Sequence, residues 1–303
     1  MNPADSLRIV SALAQVPGVR PSGLALAFAI GRELGMGIDA LTRMPESDVC
    51  RHLGWDASQS RSFRELLEQP LDRFEVLASR GIRVTTQLDA LQSGWSARLP
   101  STPWLFFRGD LDLLNQPAIG FSGSRDAIDE AIDMSRRIAI EAINHGMSVV
   151  SGGARGVDLS AHAAALDASG TTVVIVPQGL DTWWAPPSLA DPANRGRLLV
   201  VSADLPWAPW TTVSAMQRNR AIVYLSDVMT IPQAGITGGS HSTGMFALRQ
   251  QRDLWVADLG DAAPGNQLLL KRGAQPIPMM DGMPDIARMR APRPTAPAQQ
   301  PLF

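Results

Sequence analysis

From about residue 101 onward, short apolar runs alternate with helical stretches, and that alternation limits the possible folds more than any other feature. The runs are WLFFRG, PAIGFSG, MSVVSG, TTVVIVPQG, RLLVVSA, DVMTIP and LWVAD. Between them the spacing predicts helices over Ala127–Asn144, Val157–Ala168, about 217–225 and Thr243–Gln251. Valine- and isoleucine-rich runs bounded by turn residues suit strands buried on both faces, and the helices supply the crossovers that parallel strands require. The expected fold is α/β, a Rossmann-like, doubly wound, mostly parallel sheet. Binding sites in such sheets lie at the carboxyl ends of the strands, where loops lead into helices.

The first part of the chain has a different rhythm. DSLRIVSALAQVPGVRPSGLALAFAIGRELG gives two apolar helical stretches broken at Pro17-Gly18, and SFRELLEQPLDRFEVLASRGI gives two more around Pro70. A small helical N-terminal domain is expected over 1–92, with VPGVRP readable as a helix-hairpin-helix (SAM-like) turn or as a plain helix–helix turn. The sheet domain is expected over 93–286. A proline-rich tail over 287–303, RMRAPRPTAPAQQPLF in its surroundings, is poor in core residues and expected to be flexible.

Composition works mainly by exclusion. No apolar run approaches the ~18 residues of a membrane span, and the start, MNPADSLRIV, lacks the layout of a secretory signal. A cytoplasmic protein without membrane contact is expected. The single cysteine, Cys50, has no partner for an internal disulfide and no companions spaced for a metal. A net charge of −2 argues against a wholly basic nucleic-acid coat but leaves room for a local patch. Lys271 is the only lysine, so positive charge is carried by arginine, which suits bidentate phosphate contact.

Three loops at predicted strand ends carry the binding chemistry. FSGSRDA contains Ser122, Gly123, Ser124 and Arg125; SVVSGGARGVD contains Ser151, Gly152, Gly153, Arg155 and Gly156; PQAGITGGSHSTG contains Gly239 and Ser240. Glycines there permit close or left-handed backbone, and amides ahead of a helix form a positive pocket. In SAMQRNRAIVYLSD, Arg218, Asn219 and Arg220 are expected at the start of a helix, free for phosphates or paired with an acid such as Asp227. The chain has no phosphate-loop lysine, no GxGxxG with a ribose-binding acid and no HExxH. Asp158 and His162 are one turn apart and open to a shared structural bond; Ser151 has no evident base. No cofactor and no catalytic residue is expected.

The segments TPWLFFRGDLDLLNQPAIGFSGSRDA, VVSGGARGVDLSAHAAAL, QRNRAIVYLSD and GNQLLLKRGAQPI, in this order and spacing, resemble the DNA-processing family DprA, also called Smf. The resemblance implies a single-stranded DNA-binding protein that hands strands to the recombinase RecA in natural transformation, and it implies a homodimer. It also implies that the glycine loops and the arginine motif named above line one positive pocket. The chain departs from the family at Gln233, where an acid is usual, and at Trp183 and Trp184, which replace a cysteine- and tyrosine-containing segment. Such divergence leaves room for a phage-defence or mobile-element setting. Other readings are a nucleotide-sensing or LOG-like nucleotide-hydrolysing protein and an antitoxin-like regulatory partner. Finally, QQPLF is similar to a sliding-clamp-binding peptide, with Gln299, Leu302 and Phe303 in the contact positions.

Overall fold

A computed structural model describes residues 1–89, 95–191 and 194–290. The clamp-like residues Gln299, Leu302 and Phe303 lie outside the described residues. Six helices come first: α1 (Pro3–Gln15), α2 (Pro21–Glu33), α3 (Ala40–Arg43), α4 (Glu46–Leu53), α5 (Ala57–Leu67) and α6 (Asp72–Ser79). Their ends follow local chemistry. Asn2 caps α1 by accepting from the Ala4 amide with Pro3 in the first turn, and Asp56 and Gln59 close a reciprocal capping box on α5. The α1–α2 turn passes through Gly18 at φ +73°, and Gln59 Nε2 of α5 donates to the Pro17 carbonyl at 3.1 Å.

The chain then enters the sheet. The strands are β1 (Arg83–Thr86), β2 (Trp104–Arg108), β3 (Ala118–Phe121), β4 (Ser148–Ser151), β5 (Thr172–Ile175), β6 (Leu198–Ser202), β7 (Val228–Ile231), β8 (Leu254–Val256) and β9 (Gln275–Pro276). The helices among them are α7 (Trp95–Arg98), α8 (Asp129–Asn144), α9 (Val157–Asp167), α10 (Thr212–Leu225), α11 (Gly239–Arg249) and α12 (Pro264–Lys271). A small hairpin, β10 (Met279–Met280) with β11 (Met283–Pro284), and α13 (Ile286–Arg290) follow. The strand order is β1-β2-β6-β5-β4-β3-β7-β8-β9. Pairs from β6 through β9 are parallel, whereas β2 runs antiparallel to both β1 and β6. The expected Rossmann-like α/β sheet is therefore present. Its winding reverses at β3, which has β4 on one side and β7 on the other, so a crevice opens beyond the ends of that pair.

Alternation along the strands divides the core between the two faces. Val150, Val173, Ile175, Val201, Met229 and Ile231 point to the face covered by α10, α11 and α12. On the other face Ile119, Phe121 and Val149 pack with α8 and α9. The rest of that second face, including Trp104, Phe106, Val174 and Val200, is covered by the N-terminal helices through Leu7, Leu13, Phe28, Phe63 and Phe74.

Four details differ from the sequence-based expectation. Strand β1 lies inside the stretch expected to be helical, because Ile82 is fully buried and Val84–Thr86 supply a β-branched run that pairs with β2. Helix α10 begins at Thr212, not near 217: Thr211 accepts from the Ser214 amide and caps it, while Val213 and Met216 are exposed and give no apolar signal. Helix α11 begins at Gly239, not Thr243. The stretch expected as a flexible tail from 287 begins inside α13, whose Ile286 and Met289, three apart on one helix face, are buried against α8. No helix among the described residues is long and apolar enough to cross a membrane.

Candidate nucleic-acid interface

The first two glycine loops are built into each other. Gly123 lies so close to Val157 that a β-carbon would sit 2.4 Å from it, and a β-carbon on Gly156, at φ +81°, would meet the Ser124 carbonyl at 2.3 Å. Only glycine fits either place. The Ser122 amide donates to Thr230 O of β7 and the Ser124 amide to Gln233 O, which binds the first loop to the third across the β3–β7 crevice.

Gln233 is the pivot of that crossing. Its side-chain oxygen accepts from the Ile128 amide at 2.9 Å, just ahead of α8, and its Nε2 donates to Ala262 O at 2.8 Å. A carboxylate could accept but not donate, so the departure from the family residue has a structural account: this chain uses both ends of the amide.

The loop SGGARG wraps a buried carboxyl. Asp158, buried in the first turn of α9, accepts from the Gly152 amide at 3.2 Å and from the Ala154 amide, and lies beside the Ser151 hydroxyl, whose proton goes to Phe121 O. Burial raises the Asp158 carboxyl above the ordinary aspartate value; Arg218 and these donors oppose the shift. Arg218 reaches in from α10, and its Nη1 donates to Gly152 O at 2.7 Å and Ile175 O at 2.6 Å. Gly152 is therefore held through both its amide and its carbonyl, and a β-carbon there would come within 2.0 Å of the guanidinium. Burial lowers the Arg218 value, yet a guanidinium stays protonated at any ordinary pH.

The sequence-predicted residues thus separate into a scaffold and a rim. Ser122, Ser151 and Gly152 are buried, and Arg218 is largely enclosed at mid-helix, not at a helix start. Gly123, Ser124, Gly153, Gly156, Asn219 and Ser240 are half-buried, and Gly239 is exposed. Asn219 accepts from Arg218 Nε at 3.0 Å, and its Nδ2 lies 3.7 Å from where a β-carbon of Gly239 would stand, which sets it beside the third loop. Arg125, Arg155 and Arg220 are exposed. Arg125 is near enough to Arg218 to depress its value. Arg155 meets Asp126 at 2.7 Å, but both are about three-quarters exposed, so that pair is weak. Asp227, the acid named as the alternative partner for the arginine motif, instead binds Arg98 and the Ala118 amide.

Asp158 and His162 do not bond to each other. His162 Nδ1 contacts Thr172 Oγ1 at 2.6 Å, and that hydroxyl donates onward to Val149 O. Sequence reasoning missed two neighbours of this face. The loops after β5 and β6 are joined by Gly179 N to Ala208 O and Asp181 N to Pro206 O. They leave Trp184 86% exposed and Trp210 49% exposed, whereas Trp183 packs on the core. An aromatic before a polar-starting helix was the available signal for Trp210.

The sequence model of DNA recombination-mediator protein A matches residues 91–286. The DNA processing protein DprA of Streptococcus pneumoniae is 30% identical over 56% of this chain and 62% of its own length. The putative DprA of Mycobacterium tuberculosis (strain H37Rv) is 26% identical over 80% of this chain and 66% of its own. The chain thus spans somewhat under two thirds of these relatives. Among solved structures, S. pneumoniae DprA superposes with TM-score 0.69 at 22% identity, covering 88% of this chain and 93% of that one. The Helicobacter pylori DNA processing protein A, described by its single-stranded DNA binding mode, superposes with TM-score 0.52 at 31% identity over 58% of this chain and 82% of that one. With its Rossmann-like sheet and interlocked glycine loops, the chain belongs to the family of DNA recombination-mediator protein A.

Proposed function

We propose that this chain binds single-stranded DNA across the carboxyl ends of β3, β4 and β7, by phosphate neutralisation and base stacking without covalent chemistry. The observation that carries the reading is the exposed rim of Arg125, Arg155 and Arg220 around two glycine loops packed closely against each other. Guanidinium groups on a rigid scaffold suit a chain of phosphates. Exposed Trp184 and Trp210 at the ends of β5 and β6 offer faces to unstacked bases, which a duplex would not present. The single-stranded DNA binding described for the H. pylori relative supports the same reading. The polar groups that could have served catalysis are engaged structurally: Ser151 Oγ donates to Phe121 O, and Asp158 and His162 are buried in bonds of their own. Through the family resemblance the reading extends to a homodimer that passes the strand to RecA.

Arg125 and Arg220 make no ion pair among the described residues, so they are the arginines to test. Replacing both with alanine should weaken single-strand affinity and reduce the slope of log affinity against log salt by about 1.4, since each phosphate contact on a single strand contributes about 0.7. Fluorescence anisotropy at several salt concentrations reads both. An unchanged slope in a folded double variant would remove the phosphate rim from the assignment.

A further inference from the structure

A second opening lies beside α10, beyond the ends of β5 and β6, and shares Arg218 and Arg220 with the interface described above. It is a cavity of about 520 Å³, and none of the three loops lines it. That volume is in the range of small-molecule sites. Its walls are apolar and partly flat, with Trp104, Pro103 and Pro177 among them. Asp204, Gln217 and Arg220 supply its polar groups.

Asp204 is the feature that asks for a ligand. It is half-buried, and among the described residues it makes no ion pair. Its carboxyl is hydrogen-bonded by Ser214, whose hydroxyl also accepts from Thr211 Oγ1 at 2.9 Å. Burial raises its value above that of an ordinary aspartate. A carboxylate can only accept, so the remaining acceptor capacity calls for N–H donors from whatever fills the cavity. Gln217 of α10 lines the same cavity, and Arg220, which lies over the Phe246 ring at 5.6 Å, makes no ion pair among the described residues and is available to an anion.

We infer that this cavity receives a guanine base, with Asp204 accepting from its N1–H and exocyclic amino group, Gln217 donating to O6, and Arg220 holding the attached phosphate. The other bases fit the carboxylate poorly. Adenine and cytosine place a ring acceptor where guanine has N1–H, and thymine and uracil place a single N–H between two carbonyls. The base could belong to a DNA strand or to a free nucleotide; the inference leans on the DNA reading only for the first source.

The test has two arms. Calorimetry with GMP, AMP, CMP and UMP examines the free nucleotide. Anisotropy with an oligothymidylate, and with the same strand carrying one interior guanine, examines the strand. A bidentate contact predicts a preference for guanine on the order of tenfold in at least one arm. Asp204→Asn should abolish that preference while leaving oligothymidylate affinity unchanged, and Ala221→Leu, which narrows the cavity from α10, should do the same. Equal affinity for all four nucleotides and both strands overturns the inference, as does a guanine preference that survives both variants. If oligothymidylate binds and no guanine preference appears, the DNA reading stands and this one falls. If GMP binds through Asp204 while neither strand does, the reverse holds.

Discussion

His162 shows how far a residue's environment can be read from its bonds. Thr172 gives its hydroxyl proton to Val149 O, so it accepts from His162 Nδ1–H, and Nε2 is left as a buried lone pair without a partner. Protonating Nε2 would bury a charge beside Arg218, and burial first, then that arginine, pulls the imidazole down to about 3. The unfolded chain takes up this proton near 6.5, so the stability contributed by neutral His162 is complete above that pH. It is lost progressively as pH falls toward 3. Between pH 7 and pH 5 the group should cost about 2 kcal/mol. Urea unfolding at the two pH values checks this, and His162→Gln should flatten the difference. Gln233 allows a second test at the same scale. Gln233→Glu keeps the acceptor for the Ile128 amide but sets a carboxylate against Ala262 O. The variant should lose about 1–3 kcal/mol at neutral pH and recover part of it, relative to the parent, once the new acid is protonated and can donate. An equal loss at both pH values would show that the donor is not what matters.

At the scale of elements, the sequence made the strands more legible than the helix starts. Runs such as VVIV and LLVV have one outcome in a covered sheet, and they fall where the alternation placed them. Helix α10 was misjudged because its first turn has no buried face; its onset depends on the Thr211 hydroxyl, which periodicity does not register. That error also hid the role of Arg218, since a mid-helix arginine facing a sheet reads in sequence like one facing solvent. In the structure it ties α10 to the ends of β4 and β5 and balances Asp158. Arg218→Met should therefore cost about 3–5 kcal/mol, because it leaves Asp158 buried without its countercharge. Asp158→Asn added to it should restore a measurable part, a coupling that a double-mutant cycle on unfolding free energies detects. Strict additivity of the two changes would show that the pair is not coupled.

For the whole molecule, the sequence separated a helical part from a sheet part, and the packing joins them. Trp104, Phe106, Val174 and Val200 of the sheet share one apolar cluster with Leu7, Phe28 and Phe63 of the first helices. Nothing in the local pattern announces this, because periodicity shows that a face is apolar without showing what covers it. The consequence is cooperative: a sheet face that owes its burial to α1 and its neighbours cannot keep its stability when they are loosened. Leu7, fully buried where α1 packs on α5, α6 and β1, is the point at which to test it. Leu7→Ala should cost about 2–5 kcal/mol from lost transfer energy and an unfilled cavity. Under native conditions it should speed hydrogen exchange of the slowest amides in β4, β5 and β7 as much as that of α1, since the slowest amides open only with the global transition. Faster exchange confined to the first helices, with the central strands unaffected, would mean that the two parts unfold independently despite their shared core.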